Sequence, residues 1–432
     1  MKFAVYTLGC KVNTYESEYA IKEFIKNGFE LVDFNDEENI ADIYLINTCT
    51  VTNVSDQKSR KMIRQARKKN ENAVIVVMGC FSQIEKNIED IKEYCDVIIG
   101  NANKSKIVEL TKEYIKNKNK IVDVKNINES SFDNMEISEF ETRSRALIKI
   151  QDGCENFCSY CIIPYVRGKV RSKKKEEVIS EAEKLVKNGY KEIVLTGIHT
   201  GHYGSDLEDV DFSDLLVSLN EIEGLERIRI SSIEITELND KFLNTLSKCE
   251  KIVNHLHIPL QAGSDNILKL MNRKYDLNYY YEKINKIRSI RKGIAITTDV
   301  IVGFPNEEEE DFLNTIEFVK KVGFAAGHVF PYSKREGTPA SKMKNQLTNE
   351  EKHNRSRRLI EVFSKLEDNY YNSYIGKEEL VIAEVYDNGY LIGHTSNYLK
   401  VKFKGCNKLL GKLVKVKLEE KQDKIIIGSI IE

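Results

Sequence analysis

The sequence predicts an α/β protein in three parts: an N-terminal open parallel α/β domain, a central partial (β/α) barrel and a small C-terminal antiparallel β-barrel. Two observations predict this order. Apolar, β-rich runs alternate with amphipathic helical stretches through most of the 432 residues, which is typical of parallel sheets. After residue 377 the pattern changes to short alternating segments broken by Gly and Asn, which is typical of a small antiparallel barrel.

The N-terminal domain is predicted over residues 1–128. Strands are expected at 2–8, 42–47, 73–78 and 96–99, and helices near Glu16–Lys26, Asp56–Lys69 and Ile84–Glu93. Three of these strands end in a cysteine: Cys10, Cys49 and Cys80. In open parallel sheets, ligands lie outside the carboxyl ends of the strands. One cysteine there would be an ordinary apolar filler, but three in the same position predict a metal-cluster site at one edge of the sheet.

The central domain is predicted over residues 143–372, after a polar, acidic linker at 129–142. Its candidate strands are 146–150, 192–196, 227–233, 255–259, 295–302 and 325–330. Helical stretches such as Glu176–Asn188 and Glu307–Val322 separate them, and an amphipathic helix over 348–370 closes the domain. Repeated strand–helix units of this length indicate a βα barrel, complete or partial.

The most informative stretch is the loop after the first strand of this barrel. It carries Cys154, Cys158 and Cys161, separated by three and then two residues. Thiolates this close repel each other unless a metal neutralises them. The spacing differs from the paired knuckles of structural zinc sites and lacks the fourth cysteine of a closed ferredoxin cluster. Three ligands on a four-iron cubane would leave one iron open to a substrate. A zinc site and three buried thiols are the alternatives.

Composition and charge limit the classes of function. No apolar run reaches membrane-spanning length, and the apolar stretch at the N-terminus is too short for a signal peptide. Nine cysteines, an odd number, argue against a disulfide framework and for metal ligation in a reducing cytoplasm. The net charge of −1 gives no global attraction to nucleic acid, so local basic patches would have to provide it. We therefore expect a cytoplasmic protein with no membrane partner.

The segment KIQDGCENFCSYCIIPYVRGKVRS, residues 149–172, resembles the radical S-adenosylmethionine (SAM) methylthiotransferases. These enzymes attach a methylthio group to a tRNA adenosine or to a ribosomal protein side chain. The stretches TLGCKVNTYESE, NTCTVTNVSDQKSR and VVMGCFSQ resemble the three cysteine motifs of the family's N-terminal domain. The resemblance covers nearly the whole chain. It implies a six-stranded partial barrel, SAM as cofactor and two 4Fe–4S clusters, held by Cys154, Cys158 and Cys161 and, as an auxiliary cluster, by Cys10, Cys49 and Cys80.

The same resemblance implies SAM-binding residues at the ends of the barrel strands. The candidates are Tyr160, Thr196, Gly197, Ser232, Glu234, Gln261, Val302 and Gly303. Thr196-Gly197 resembles the motif that contacts the methionine amino group. Val302-Gly303 resembles the motif that flanks the adenine, and Tyr160 would lie against that base. Taken singly, each polar candidate is also an ordinary capping or turn residue.

Three basic stretches are predicted to contact nucleic acid. Lys400, Lys402 and Lys404 alternate along a strand and so share one face, near Tyr390 and Tyr398. Such a face suits phosphate contacts and base stacking, although lysines also protect solvated edge strands. Residues 373–432 resemble the TRAM domain, an RNA-binding appendage of the family. The other two stretches are residues 58–69 and Arg167–Lys175.

Within the family, GCKVNTYES, GIHTGHYG and HVFPYSKREGT are most similar to enzymes acting on N6-threonylcarbamoyladenosine at position 37 of tRNA. The resemblance implies methylthiolation of C2 of that base, with tRNA, an electron donor such as flavodoxin or ferredoxin, and a sulfur donor as partners. One alternative substrate is isopentenyladenosine in tRNA, whose enzymes have Gln-Met-Asn where this chain has Lys11-Val12-Asn13. A ribosomal protein side chain is another. In a different class, the chain would be a non-catalytic iron–sulfur RNA-binding protein.

Overall fold

The computed structural model describes residues 1–140 and 144–431, which form two compact units. Unit 1 comprises Met1–Ile137, Lys149–Lys173 and Ser333–Ser341, and unit 2 comprises Ser138–Ile148, Lys174–Tyr332 and Lys342–Glu432. Residues 141–143, where the predicted linker ends and the predicted barrel domain begins, lie outside the described residues. The sequence limits of the four predicted segments stay a prediction.

Unit 1 is built on a parallel sheet. Its strands are β1 (Lys2–Thr7), β2 (Glu30–Leu31), β3 (Ile43–Thr48), β4 (Val74–Gly79), β5 (Val97–Ile99) and β6 (Ile121–Asp123). In the described part of the chain they lie in the order β2-β1-β3-β4-β5-β6. Every residue of β3 and β4 is buried, because parallel strands are covered on both faces and therefore read as continuous apolar runs. The predicted parallel α/β architecture is confirmed.

The helices of this sheet pack on its two faces. They are α1 (Lys11–Lys26), α2 (Asn53–Lys69), α3 (Glu85–Ile91) and α4 (Ile107–Asn117). Alternate strand residues fall into two hydrophobic clusters, one of which includes Ile63 of α2, while the other includes Phe24 of α1 and Ile107 of α4. Apolar surface is therefore buried on both faces of the sheet and stabilises the strands whose ends carry the cysteines.

The second part of unit 1 is a short hairpin. It follows strand β7 (Ala146–Lys149) and comprises β8 (Gln151–Asp152), helix α5 (Ile163–Arg167) and β9 (Arg171–Ser172). Strands β8 and β9 pair antiparallel. The loop with three cysteines lies between β8 and α5, so the hairpin determines where that loop begins.

Unit 2 contains the strand–helix alternation of the predicted barrel. After β7 the strands are β10 (Glu192–Thr196), β11 (Arg227–Ile230), β12 (His255–His257), β13 (Ala295–Val302) and β14 (Ala326–Pro331). The helices are α6 (Lys175–Lys187), α7 (Phe212–Asn220), α8 (Asp240–Lys248), α9 (Asp265–Leu270), α10 (Leu277–Ile290), α11 (Glu309–Val322) and α12 (Asn349–Asn372). Two three-stranded sheets, β11-β10-β7 and β12-β13-β14, meet where the amide of Ile233 donates to the carbonyl of His257 over 3.0 Å. A partial barrel is confirmed.

The C-terminal segment is a closed antiparallel-rich barrel. Its strands are β15 (Glu378–Asp387), β16 (Tyr390–Thr395), β17 (Lys400–Lys404), β18 (Leu413–Gln422) and β19 (Ile425–Ile430), closed in the order β15-β16-β17-β19-β18. Alternate residues such as Val401 and Phe403 fill its interior. The change of pattern after residue 377 therefore predicted the correct architecture. Separately, no described helix in either unit has both the length and the apolar character that a membrane span requires.

Candidate functional site

Cys10, Cys49 and Cys80 come together at one edge of the parallel sheet in unit 1. Pairing of the last residues of β1 with β3, and of β3 with β4, ends the three strands at the same level. Gly9 has a φ of +101°, and a Cβ there would lie 3.2 Å from the sulfur of Cys49. A glycine before Cys10 is therefore needed for the first loop to approach the second cysteine.

The three thiols influence one another electrostatically. Cys49 and Cys80 are buried, whereas Cys10 is exposed. Burial, and then the neighbouring Cys80 and Cys10, raise the pKa of Cys49 to about 11. Thiols in this setting stay protonated until a metal displaces the proton. Three thiolates are three of the four ligands of a 4Fe–4S cluster, so the donor set fits a cluster with one open iron.

Polar side chains fix the loops that carry two of these cysteines. Asn13, in the first turns of α1, donates from Nδ2 to the carbonyls of Leu8 at 2.6 Å and Thr48 at 3.0 Å. The hydroxyl of Ser59 on α2 donates to the carbonyl of Cys49 over 3.1 Å. These bonds satisfy backbone groups that leave the sheet at its edge, and they hold the two loops together.

The loop of Cys154, Cys158 and Cys161 is held closed at its base. Gly153 has a φ of +78°, and a Cβ there would lie 1.8 Å from the carbonyl oxygen of Lys169. The amide of Cys154 donates to the carbonyl of Gly168 over 3.0 Å, and the amide of Cys161 donates to that of Cys158 over 3.0 Å. Cys158 is buried, whereas Cys154 and Cys161 are partly exposed. Three thiolate donors on one short turn again fit a cluster with an open iron.

Arg167 joins this loop to the sheet edge. Its guanidinium is fully buried, and Nε lies 3.1 Å from the sulfur of Cys80. Nη1 donates to both oxygens of Asp152 at 3.0 Å and to Glu16 at 3.1 Å, and Nη2 donates to Asn13 at 2.7 Å. Because Asp152 immediately precedes Gly153, one side chain contacts both cysteine-bearing regions. The planar, five-donor guanidinium suits such a multidentate position.

Arg167 belongs to a buried ionic network. Lys149 donates to Glu16 at 2.8 Å and lies 2.7 Å from Asp152, and Lys104 also pairs with Glu16. Burial by itself would raise the pKa values of Glu16 and Asp152, but Arg167 and the lysines hold them below their usual range. Arg171 also lies 3.8 Å from Asp152, so the cations of the network exceed its two carboxylates and favour a further negative charge nearby.

The candidate SAM-binding residues at the strand ends lie in unit 2, whereas the candidate Tyr160 lies in unit 1. Ser232 accepts a hydrogen bond from the hydroxyl of Thr200 at its carbonyl, and Glu234 pairs with Arg273. Within the described residues, the buried hydroxyl of Ser231 has no hydrogen-bond partner. An orphaned buried hydroxyl at the end of β11 fits a polar ligand, such as a ribose, at this position.

Two other candidates have unusual backbone conformations. Gln261 has a φ of +65°, which is uncommon outside glycine, and its amide donates to the carbonyl of Asp299 over 2.9 Å. Gly303 has a φ of +69°, and its amide donates to Glu307 over 2.6 Å. The conformation is strained for Gln261, and such strain concentrates at ligand sites, whereas glycine adopts it freely. Thr196, Gly197 and Val302 lie at the carboxyl ends of β10 and β13.

The prediction that Arg167–Lys175 forms a nucleic-acid surface is wrong for half of its basic residues. Arg167, Arg171 and Lys173 are buried, and Lys173 donates to the carbonyl of Met135 over 2.7 Å. These cations satisfy internal oxygens, so phosphates cannot reach them. Lys169 and Lys174 remain exposed.

Tyr398 does not present a free face for base stacking. Its ring stacks on both His255 and His394, each at 4.8 Å between centroids, and the guanidinium of Arg229 lies 4.9 Å from its centroid. The tyrosine therefore packs the C-terminal barrel against the central domain within unit 2. Tyr390 is as exposed as Tyr398 but has no such stacked neighbours among the ring contacts of the described residues, and Lys402 lies over its ring at 4.6 Å.

Two basic surfaces remain available. On α2 the exposed cations Lys58, Lys61, Arg64 and Lys68 recur at helical spacing and form one stripe. On β17, Lys400 and Lys404 are exposed and Lys402 is partly exposed, while the residues between them face the barrel interior. We call these the α2 stripe and the β17 face.

The sequence interpretation did not identify Asn13 and Glu16 as parts of the site. The available signal was weak: Val12, Tyr15 and Glu16 follow a helical spacing and are all buried, so Glu16 is a carboxylate on the buried face of α1. A buried carboxylate requires a cation, but Lys149 and Arg167 are far away in sequence.

Two family descriptions match the chain. The radical SAM superfamily matches residues 148–319. The uncharacterized protein family UPF0004 matches residues 2–100. The two matches contain the two sets of cysteines separately.

Named relatives match almost the whole chain. It is 44% identical over 422 residues to the threonylcarbamoyladenosine tRNA methylthiotransferase MtaB of Bacillus subtilis, covering 96% of this chain and 93% of that protein. It is 40% identical to the MtaB of Aquifex aeolicus, covering 96% of this chain and 100% of that protein. It is 38% identical to a tRNA-2-methylthio-N(6)-dimethylallyladenosine synthase of Clostridium perfringens, covering 100% of this chain and 98% of that protein.

Solved structures share the fold at low identity. The radical SAM methyltransferase TsrM of Kitasatospora setae, with cobalamin and a 4Fe–4S cluster bound, aligns with a TM-score of 0.56 at 14% identity, covering 78% of this chain and 73% of that chain. The cobalamin-dependent radical SAM enzyme OxsB aligns with a TM-score of 0.51 at 11% identity, covering 84% of this chain and 56% of that chain.

Proposed function

Because the chain belongs to the radical SAM methylthiotransferase family, we propose that it methylthiolates C2 of N6-threonylcarbamoyladenosine at position 37 of tRNA. The product is 2-methylthio-N6-threonylcarbamoyladenosine. The observation that carries this choice is the similarity, over nearly the full length, to two threonylcarbamoyladenosine tRNA methylthiotransferases. Enzymes of this family use SAM and 4Fe–4S clusters.

Two clusters are assigned to the two sets of thiols. Cys154, Cys158 and Cys161 would hold the cluster that binds SAM, and Cys10, Cys49 and Cys80 would hold the auxiliary cluster. When bound, these groups supply the radical chemistry and the sulfur that an unreactive adenine carbon requires. The closed base of the cysteine loop and the common level of the three strand ends support this assignment.

The protein's own side chains position the two sets. Arg167 donates to Asp152 and Glu16 and contacts Cys80, so it fixes one cysteine region relative to the other. Buried in a network of charges, it provides positive potential beside the thiolates without admitting water. A dry, rigid surround limits side reactions and holds reacting groups in place.

SAM binding is assigned to the strand ends of the barrel. Thr196 and Gly197 would contact the methionine part, and Ser232, Glu234 and Gln261 would contact polar groups of SAM. Val302 and Gly303 would flank the adenine. The orphaned hydroxyl of Ser231 and the strained backbone of Gln261 support a ligand there.

The partners follow from the reaction. The tRNA would approach along the α2 stripe and the β17 face, where exposed cations can contact phosphates. A sulfur donor is needed to replace each transferred sulfur, and an electron donor such as flavodoxin or ferredoxin is needed for reductive SAM cleavage. We place the protein in the cytoplasm, where tRNA is available and thiols stay reduced.

Dimethylallyladenosine in tRNA is the second candidate substrate. The observation that favours it is the 38% identity to a dimethylallyladenosine synthase over the whole chain. Both candidates share the clusters and the C2 chemistry, so they differ only in the group on N6.

Mass spectrometry of tRNA nucleosides from cells with and without this protein tests the proposal. Deletion should remove 2-methylthio-N6-threonylcarbamoyladenosine and leave its N6-threonylcarbamoyl precursor. Loss of the methylthiolated dimethylallyl nucleoside instead would select the second candidate. Unchanged nucleosides together with normal binding of tRNA would favour the non-catalytic class.

A further inference from the structure

A cluster of two histidines and a glutamate lies at the ends of two neighbouring strands in unit 2. His199 precedes the turn Thr200–His202 after β10 and His202 ends it, and Glu237 ends the turn Ile235–Glu237 after β11. Strands β10 and β11 pair in parallel. The loops that follow their carboxyl ends therefore meet at the same edge, where barrel proteins place ligand-binding groups.

One potential ligand atom from each of the three side chains lies close to the other two. Nε2 of His199 and Nε2 of His202 each lie 3.3 Å from the same oxygen, Oε1 of Glu237. The two imidazole rings stack with centroids 3.9 Å apart and planes 19° apart. All three potential ligand atoms lie within 4.8 Å of one another.

From this geometry we propose that His199, His202 and Glu237 bind a divalent transition-metal ion of the zinc class. Zinc binds imidazole nitrogen at about 2.0–2.1 Å and carboxylate oxygen at about 2.0–2.2 Å. Two ligands of a tetrahedral ion at those distances lie about 3.4 Å apart, whereas ligands at a right angle lie about 3.0 Å apart. The 3.3 Å separations are closer to the tetrahedral value. Two imidazoles and one carboxylate, without a thiolate, are a ligand set that zinc accepts.

Burial gives the site a closed side and an open side. The side chains of His199 and Glu237 are 4% and 12% exposed, and that of His202 is 34% exposed. An ion can therefore enter past His202. Three protein ligands leave the fourth tetrahedral position to water, as in zinc sites that keep an open position.

The surrounding turn is shaped for the carboxylate. A Cβ at Gly201, between the two histidines, would lie 2.5 Å from Cγ of Glu237. Any side chain at 201 would displace the carboxylate, so the glycine makes room for it. The hydroxyl of Thr236 donates to Oε1 of Glu237 over 3.1 Å, and such outer hydrogen bonds orient carboxylate ligands.

This site is independent of the proposed activity, because metal binding is measured without SAM or tRNA. The test uses the full-length protein with both iron–sulfur clusters loaded under anaerobic conditions. It is dialysed against Zn²⁺, and zinc and iron are measured per chain. One zinc per chain with unchanged iron is expected. No bound zinc in the unaltered protein would overturn the proposal.

Variants locate the ion. His202→Ala and Glu237→Gln should each weaken zinc binding more than about 100-fold, since even outer partners of a metal site contribute 10–100-fold. Gly201→Ala keeps all three ligands but displaces the carboxylate, and should weaken binding about 10- to 100-fold. His328→Ala is the matched control, because His328 also contacts a carboxylate, Asp299 at 3.2 Å. Retained iron shows that each variant is folded.

X-ray absorption at the zinc edge separates this site from the cysteines. A shell of nitrogen and oxygen at about 2.0–2.1 Å with imidazole scattering is expected. Sulfur ligands at about 2.3 Å would show that zinc had entered a cysteine site and would overturn the proposal. Full zinc binding by His202→Ala, or its loss in His328→Ala, would do the same.

Discussion

The fold brings each of the two sets of three cysteines together in a different way. Cys154, Cys158 and Cys161 lie on one short loop, whose base is closed by a two-strand hairpin and by Gly153. Cys10, Cys49 and Cys80 come from three separate strand ends and meet only because the register of the sheet aligns them. Local chain geometry builds the first set, whereas the packing of the whole N-terminal sheet builds the second.

Because of this difference, the two sets of cysteines depend on the rest of the fold to different degrees. When the ligands of a metal site lie on one loop, a single substitution can remove the site without disturbing the sheet. A site assembled from three strands depends on the cores on both faces of that sheet. Arg167 contacts both regions and so links the cysteine loop to the sheet edge.

The largest expected effect comes from removing a ligand of the local set. Cys154→Ala, Cys158→Ala or Cys161→Ala should each abolish reductive cleavage of SAM, because all three thiolates are needed to hold an open-site cluster. The far-UV circular dichroism should stay unchanged. The product 5′-deoxyadenosine is measured after addition of reductant. Normal production by any one of these variants would contradict the assignment.

The next largest effect separates the two sets. Replacing Cys10, Cys49 and Cys80 together by Ala should remove about half of the reconstituted iron, because one of two four-iron clusters is lost. Cleavage of SAM should persist at the other cluster, while methylthio transfer to tRNA should stop. Iron per chain, 5′-deoxyadenosine and methylthiolated nucleoside are measured on the same sample. An unchanged iron content per chain would show that these cysteines are ordinary core thiols.

A third prediction tests the link between the sets. Arg167→Met should lower the free energy of unfolding by about 3–5 kcal/mol, because it removes the buried hydrogen bonds that Arg167 donates to Glu16, Asp152 and Asn13. Lys169→Met is the matched control, since Lys169 is exposed two residues away, and it should change stability by less than about 0.5 kcal/mol. Urea unfolding of both variants without clusters measures the difference. Equal stabilities would show that Arg167 contributes no net stability to unit 1.

Most of the architecture could be predicted from the sequence because buried parallel strands read as apolar runs. Strands β3, β4, β10 and β13 were predicted to within a residue or two at each end. The edge strands β2 and β6, of two and three residues, are too short to show a pattern. The six cysteines were found because their spacing, or their place after a strand, is visible in the chain itself.

The ionic network could not be predicted, because its partners are distant in sequence. Glu16 pairs with Lys149 and Arg167 across 133 and 151 residues. A run of six basic residues after the cysteine loop therefore indicated a surface, although Arg167, Arg171 and Lys173 are internal. Sequence pattern gives the sign of a charge, whereas its burial depends on a partner that only the fold supplies.

The smallest expected effect concerns substrate binding by the β17 face. Lys400→Ala, Lys402→Ala and Lys404→Ala together remove the cations of the β17 face, while Val401 and Phe403 still fill the barrel interior. If each lysine contacts a phosphate, the magnitude of the slope of log affinity for tRNA against log salt should fall by about 2, at ~0.7–0.9 per contact. Cleavage of SAM without tRNA should be unchanged. The matched control is Lys415→Ala, because Lys415 is already paired with Glu378 at 2.7 Å. A triple variant with the affinity and salt slope of the unaltered protein would show that the β17 face is only a solvated strand protected by its lysines.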